Sequence, residues 1–192
     1  MKIRNSKIFK KIKDQKGFSL TELLACTMIM LLATSVLSGT ISLATRNYDK
    51  QMRISKADIL CESLSFTLRE KLSYVYRYDS SKDQFYSTGS DLGYYPFEID
   101  LVNVSGDNMK AHDELILKYY KSDSAYDTFH LVNSASYIGG DYSADYEIVR
   151  SISSTSNQFE MRIKIKDTNS GDILSETDFV VDPFITEVPD IN

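Results

Sequence analysis

The chain has 192 residues, with 22 Lys or Arg, 27 Asp or Glu and a net charge of −5. This length accommodates one folded domain beside a membrane anchor, and it excludes two ordinary domains with separate cores. The acidic balance argues against direct binding of nucleic-acid phosphates, which needs clustered Lys and Arg.

Residues 1–17 are predicted to form a basic cytoplasmic leader. They contain seven Lys or Arg and one acidic residue, Asp14, a local balance of +6 that leaves −11 for the other 175 residues. Lys and Arg next to an apolar run stay on the cytoplasmic side of a membrane. The acidic remainder is therefore expected on the extracytoplasmic side.

Residues 18–45 are predicted to form a transmembrane helix. In the 27 residues 18–44, Glu22 is the only charged side chain, and a helix needs about 20 apolar residues to span a bilayer. The run is longer than the core of a secretory signal peptide, which has about 7–15 residues. Leu23-Leu24-Ala25-Cys26 resembles a lipobox, but most of the apolar run follows Cys26. An uncleaved signal anchor fits the hydropathy and remains an alternative.

Glu22 needs an explanation because a carboxylate inside a membrane segment is costly and is by default a functional-site candidate. Ser19-Leu20-Thr21-Glu22 fits the S/T-x-x-E capping box. In that motif the two polar side chains bond free backbone N–H groups at the positive end of the helix dipole. A cap and a later ion pair could use the same carboxylate.

The nine residues Lys16-Gly17-Phe18-Ser19-Leu20-Thr21-Glu22-Leu23-Leu24 resemble the cleavage motif of type IV prepilins and type II secretion pseudopilins. The resemblance implies that a membrane peptidase cuts between Gly17 and Phe18 and that Phe18 is then N-methylated. It further implies that Glu22 pairs with the terminal amine of a neighbouring subunit during assembly. In a low-dielectric environment such a pair would select the register between subunits.

The function implied by this resemblance is that of a minor pilin or pseudopilin, a structural subunit of a pilus, a competence filament or a type II secretion pseudopilus. The implied partners are the prepilin peptidase/methyltransferase, other pilin or pseudopilin subunits, the membrane and an assembly platform protein. No cofactor, metal, enzymatic activity or direct nucleic-acid binding is expected. Major pilins often have a proline where this chain has Gly39. The alternative is an uncleaved, signal-anchored surface binding protein or adhesin.

Residues 46–78 are predicted to continue the helix as an amphipathic segment. Apolar residues recur there at spacings of three and four, with charged residues between them; they are Ala57, Leu60, Leu64, Leu68, Leu72 and Val75. The predicted helix runs from about Ser19 to Tyr78, and its apolar stripe is interpreted as a core face.

Residues 79–192 are predicted to form a β-rich extracytoplasmic head. Tyr, Ile, Val and Phe occur there in short runs separated by turn residues. The predicted strands are 95–104, 114–120, 128–133, 146–151, 158–166 and 173–181. The last two are joined by a turn at Thr168-Asn169-Ser170-Gly171. The predicted fold is α+β and pilin-like, with a long N-terminal helix packed on an antiparallel sheet.

Few residues of the head suggest chemistry. His112 is expected after a loop and His130 in a strand, with no carboxylate at ligand spacing to either. Residues 167–172 are interpreted as a hairpin turn rather than a calcium loop. Major pseudopilins can carry a calcium site near the C-terminus, so the resemblance makes the acidic loops around Asp141, Asp145 and Asp182 candidates for testing. Cys26 and Cys61 are too far apart on one helix to pair. An intermolecular bridge through Cys61 remains open.

Overall fold

The computed structural model describes residues 19–79, 84–87, 95–106, 109–122, 125–151 and 158–182. The predicted leader, including Gly17, and the neighbouring Phe18 lie outside the described residues. The chain divides into two compact units, Met1–Asp49 and Lys50–Asn192.

Helix α1 (Leu20–Leu72) begins in the first unit and ends in the second. Leu, Met and Ala, which favour helices, dominate its start. In the second unit, its apolar stripe is buried as predicted; the buried residues are Ala57, Leu60, Cys61, Leu64, Ser65, Leu68 and Leu72. The interpretation of this stripe as a core face is confirmed.

Helix α1 ends six residues before the predicted end at Tyr78. The Ser73 hydroxyl and backbone N–H both donate to the Arg69 carbonyl, at 2.7 and 3.0 Å, and close the last turn. The Val75 side chain is buried, but it belongs to a strand. Its three-residue spacing from Leu72 fitted the helical period, whereas the aromatic and β-branched residues that follow Ser73 favour an extended backbone. The predicted end of the helix was therefore wrong.

Within the described residues, eight strands form two antiparallel sheets, so the α+β fold class is confirmed, whereas the prediction of one sheet was wrong. The first sheet has the order β1-β2-β3-β4-β5, with β1 (Val75–Asp79), β2 (Gln84–Ser87), β3 (Tyr95–Gly106), β4 (Met109–Ser122) and β5 (Ala125–His130). The second has the order β6-β7-β8, with β6 (Tyr142–Ser151), β7 (Phe159–Asp167) and β8 (Ile173–Val181). All six predicted strands are present, and β1 and β2 were not predicted.

The β7–β8 hairpin follows the sequence pattern closely. Met161, Ile163 and Ile165 on β7 are fully buried, while the alternating charged residues are partly exposed, as the two-residue period predicts. The turn reverses at Gly171, whose φ of 73° is the left-handed conformation that glycine adopts at little cost. The predicted hairpin is confirmed.

Aromatic side chains stack across the first sheet. Tyr78, Phe85, Phe97 and Tyr119 are register partners on β1 to β4, and their successive ring centroids are 4.7, 5.4 and 5.4 Å apart. Such cross-strand aromatic pairs stabilise a sheet beyond the apolar area that they bury. This row joins the core formed by the buried stripe of α1.

The two sheets are joined at β4 and β6. The Asp113 backbone N–H donates to the Ser143 hydroxyl at 3.1 Å, and that hydroxyl donates to Asp113 Oδ2 at 3.2 Å. The Tyr146 hydroxyl donates to the Ile99 carbonyl at 2.7 Å. A 3₁₀ segment, η1 (Ser134–Gly140), connects β5 with β6.

Candidate functional site

The first turn of α1 carries the predicted capping box. The Ser19 backbone N–H donates to Glu22 Oε2 at 2.9 Å, and the Glu22 backbone N–H donates to the Ser19 hydroxyl oxygen at 3.2 Å. The Ser19 and Thr21 hydroxyls are 2.8 Å apart and share a hydrogen bond. The reciprocal geometry of the motif is therefore confirmed, and it holds the Glu22 carboxylate at the positive end of the helix dipole.

Beyond this cap, α1 exposes a largely apolar surface as far as Ala44, and the charged Arg46 and Asp49 follow. Every residue from 19 to 49 is exposed, including large side chains such as Leu31 and Val36. The helix is long and apolar enough to cross a membrane, although a signal sequence near an N-terminus passes the same test of length and composition. Such a surface is compatible with a single-pass anchor.

Five hydroxyl side chains in this apolar stretch are bonded within the helix. Each donates to a backbone carbonyl three or four residues earlier, at 2.8 to 3.0 Å; the donors are Thr27, Thr34, Ser35, Thr40 and Thr45. A hydroxyl bonded in this way needs no water. These five residues are therefore compatible with a lipid environment.

Two other residues of the helix were singled out in the sequence. Gly39 lies inside the uninterrupted helix, and a β-carbon added there would meet no atom within 4 Å. Cys26 is exposed, whereas Cys61 is fully buried with its thiol 3.6 Å from the Ile163 carbonyl. Burial raises the pKa of the Cys61 thiol. An intermolecular bridge through Cys61 is incompatible with that burial.

Asp182 is exposed, whereas the other acidic residues considered for calcium have cationic partners. Asp141 pairs with Lys110 at 2.5 Å, Asp145 pairs with Lys166 at 2.6 Å, and Asp167 pairs with Arg53. Across the described ranges, no group of three or more His, Cys, Asp or Glu side chains is arranged to hold a metal ion.

The two histidines meet a carboxylate that the sequence reasoning overlooked. Glu114 is fully buried on β4, with Oε1 3.0 Å from His112 Nε2 and Oε2 3.0 Å from His130 Nδ1. The Ser134 hydroxyl donates to Oε2 at 2.9 Å. From the sequence, no carboxylate at ligand spacing was assigned to either histidine, whereas the structure places Glu114 in contact with both. His112 lies within β4, where residues two apart share a face.

A second apolar stripe runs along α1 in the second unit, opposite the buried one. Met52, Ile59 and Phe66 recur every seven residues and are 38%, 62% and 73% exposed. At about 100° per residue they lie about 120–180° around the helix from the buried Leu64 and Leu68. Apolar residues every seven positions are typical of a helix that packs against another helix.

No known family model, curated protein or solved structure matches the chain. The resemblance to prepilins therefore rests on residues 16–24 and on the order of basic leader, apolar helix and polar head.

Proposed function

We propose that this chain is a minor pilin or pseudopilin, a structural subunit of a type IV pilus-like filament. In this proposal the prepilin peptidase/methyltransferase cuts after Gly17 and methylates Phe18. The membrane stores the mature subunit, and an assembly platform protein and other subunits incorporate it. The subunit has no enzymatic role, and pilus, competence filament and secretion pseudopilus share all of these features.

The observation that carries the proposal is the exposed apolar half of α1 with a capped carboxylate at its start. None of the residues 19–49 is buried, so the apolar side chains of this half are exposed. Water is a poor environment for so much apolar area, about 25 cal/mol per Å². Lipid before assembly and neighbouring helices after assembly would both cover it.

The geometry of Glu22 suits a residue that changes partners. Its hydrogen bonds are to Ser19, three residues away, and it lies on an exposed turn. A capping bond of this kind contributes only about 0.5–2 kcal/mol, whereas pairing with an ammonium group away from water is stronger. The terminal amine of an incoming or preceding subunit is the partner that the motif resemblance implies.

The heptad stripe of Met52, Ile59 and Phe66 supports contacts with other helices in the second unit as well. A buried stripe faces the core of the same chain, and the exposed stripe on the opposite side is free to pack against a neighbouring subunit. A helix that packs both on its own head and on neighbouring subunits is expected to have apolar stripes on opposite faces.

The first test is mass spectrometry of the N-terminus of the protein recovered from native membranes. A chain beginning at Phe18 with an added methyl group is the expected result. A chain still beginning at Met1 would contradict processing and favour an uncleaved surface binding protein or adhesin. A chain beginning at a lipidated Cys26 would identify a lipoprotein instead.

The second test concerns Glu22 itself. Glu22→Gln keeps the shape and the capping acceptor but removes the charge, so membrane insertion and cleavage are expected to persist while incorporation into filaments falls at least about tenfold, the loss of one charge-assisted contact. Incorporation is measured by quantitative immunoblotting of sheared filaments or of cross-linked assemblies. Glu62→Gln, an exposed carboxylate farther along the same helix, is the matched control. Equal incorporation of the two variants would exclude the ion-pair role.

A further inference from the structure

The buried cluster around Glu114 contains protons whose positions can be deduced. His112 Nδ1 is 2.8 Å from the Lys110 carbonyl oxygen. A carbonyl oxygen can only accept, so Nδ1 carries a proton. The opposite ring nitrogen, Nε2, faces Glu114 Oε1 at 3.0 Å. This second contact needs one proton, which either His112 or Glu114 must supply.

The other contacts of Glu114 favour the ionised carboxylate. Oε2 accepts from the Ser134 hydroxyl and lies 3.0 Å from His130 Nδ1. A carboxylate that accepts several hydrogen bonds is stabilised in its charged form. The proton between His112 and Glu114 then belongs to the imidazole, which makes His112 a buried imidazolium. A buried charge requires such a partner, and each ion here neutralises the other.

The charged and titratable groups around this pair come from each neighbouring element. On β5, His130 is half exposed, and on η1 the Tyr137 ring lies 5.3 Å from the His112 ring. Burial raises the pKa of Tyr137, so that phenol stays neutral. Farther along the same face, Lys118 of β4 is paired with Asp100 of β3. At the other end of η1, Lys110 is paired with Asp141.

The cluster fastens η1 to β4 at both ends. At its start, Ser134 is bonded to Glu114. At its end, Gly140 has a φ of 83° and packs so closely on β4 that an added β-carbon would lie 2.2 Å from the Lys110 carbonyl oxygen. His112 bonds that same carbonyl and Glu114. The His112 imidazole therefore contacts both attachment points of η1. These are Glu114, which Ser134 bonds, and the Lys110 carbonyl, on which Gly140 packs.

Between these attachments, η1 holds a strained residue. Ile138 has φ 48° and ψ 67°, a conformation that a β-branched side chain adopts only under constraint, at a cost of about 1–3 kcal/mol. It lines a cleft of about 210 Å³ together with Ile59 and Leu60 of α1. The strain persists only while the surrounding bonds hold η1 in place.

We propose that the His112–Glu114 ion pair is a proton-dependent clasp that holds η1, and with it Ile138, against β4. Loss of the His112 proton leaves the lone pair of Nε2 facing a buried carboxylate. The contact then becomes repulsive and the clasp weakens. Because the contact between Nε2 and the ionised Glu114 needs the imidazole proton, the clasp is closed while that proton is bound and loosens when rising pH removes it.

The test uses the full chain in detergent micelles or nanodiscs. At pH 6, ¹⁵N NMR is expected to show both ring nitrogens of His112 protonated. As pH rises to 9, the protection of the Ser136 and Asp141 amides, corrected for intrinsic exchange, is expected to fall about tenfold as one charge-assisted bond is lost. The amides of Met161 and Ile163 on β7 serve as an internal control and are expected to keep their protection.

Two variants identify the responsible group. Glu114→Gln retains the size and an acceptor but removes the charge, so the pH response of η1 is expected to disappear. His130→Gln leaves the His112–Glu114 pair and should retain the response. An unprotonated Nε2 on His112 at pH 6, or η1 protection that does not change with pH in the wild type, would overturn the proposal even if the Glu114 variant failed to fold.

Discussion

The two halves of α1 have the same secondary structure and opposite surroundings. Residues 20–49 are exposed on all sides, whereas the half that follows buries a stripe from Ala57 to Leu72 in the core of the head. The first half is largely apolar around its circumference from Leu23 to Ala44, whereas the second is apolar on two narrow stripes. Helix formation therefore does not require burial here, and the distribution of side chains around the helix decides whether a segment is covered by its own chain.

The largest effect expected from this difference is for truncation of matched leucines. Leu64→Ala removes a side chain with no exposed area and is expected to lower the free energy of unfolding of the head by about 2–5 kcal/mol. Leu32→Ala, at 68% exposure in the first half, should change it by less than about 0.5 kcal/mol. Urea unfolding followed by tyrosine fluorescence measures both, since the chain has 13 Tyr and no Trp. Similar losses of unfolding free energy in the two variants would contradict the difference in burial between the two halves of α1.

A pair of glycines sharpens the same comparison. Gly140→Ala forces a β-carbon against the Lys110 carbonyl at a positive φ, and it is expected to cost about 2–4 kcal/mol of head stability. Gly39→Ala adds a methyl group in open space on the exposed helix and should favour helix by about 1 kcal/mol. Thermal melting of the head and helical circular dichroism report the two effects. A Gly140 variant as stable as wild type would contradict the close packing of η1 on β4.

The smallest of these effects is the pH dependence of the ion pair between Asp167 and Arg53. Burial alone would raise the pKa of Asp167, but the bond from the Asn169 backbone N–H and the Arg53 guanidinium outweigh it and lower the pKa. The folded pKa then lies below the unfolded value near 3.9. The contribution of Asp167 is therefore fully present above about pH 4 and is lost as pH falls through the folded pKa.

Asp167→Asn is accordingly expected to lower stability by about 1–2 kcal/mol at pH 7 and to have less effect near pH 3. Urea unfolding at the two pH values measures the difference. Asp127→Asn is the control, because its pair with Lys121 is exposed on both sides and should contribute little. An Asp167 variant whose deficit is the same at pH 3 and pH 7 would exclude the proposed linkage.

Features that depend on residues close together in the sequence were predicted correctly. The Ser19–Glu22 capping box, the buried stripe of α1, the alternation of β7 and the turn at Gly171 each depend on residues within about four positions of one another. Such patterns follow directly from the order of the residues in the sequence. The assembly role of Glu22 stays a prediction, as do cleavage at Gly17 and methylation of Phe18.

The contacts of Glu114 were not predicted, although part of the cluster has a signal in the sequence. His112 and Glu114 are two residues apart, so placing both on one strand would have put them on one face. His112 was instead assigned to the end of a loop. No sequence pattern brings His130 and Ser134, which lie 16 and 20 residues from Glu114, to the same carboxylate.

The sequence by itself determined the exposed apolar helix, its capped carboxylate, the core stripe and the alternating strands, because each follows from local periodicity and composition. Only the tertiary structure decided that the strands divide into two sheets and that η1 holds Ile138 in a left-handed conformation. These outcomes depend on contacts between residues that are far apart in the sequence, which no local pattern specifies. Val75, for example, is buried in β1, where it pairs with Ser87 of β2, a residue 12 positions farther along the chain.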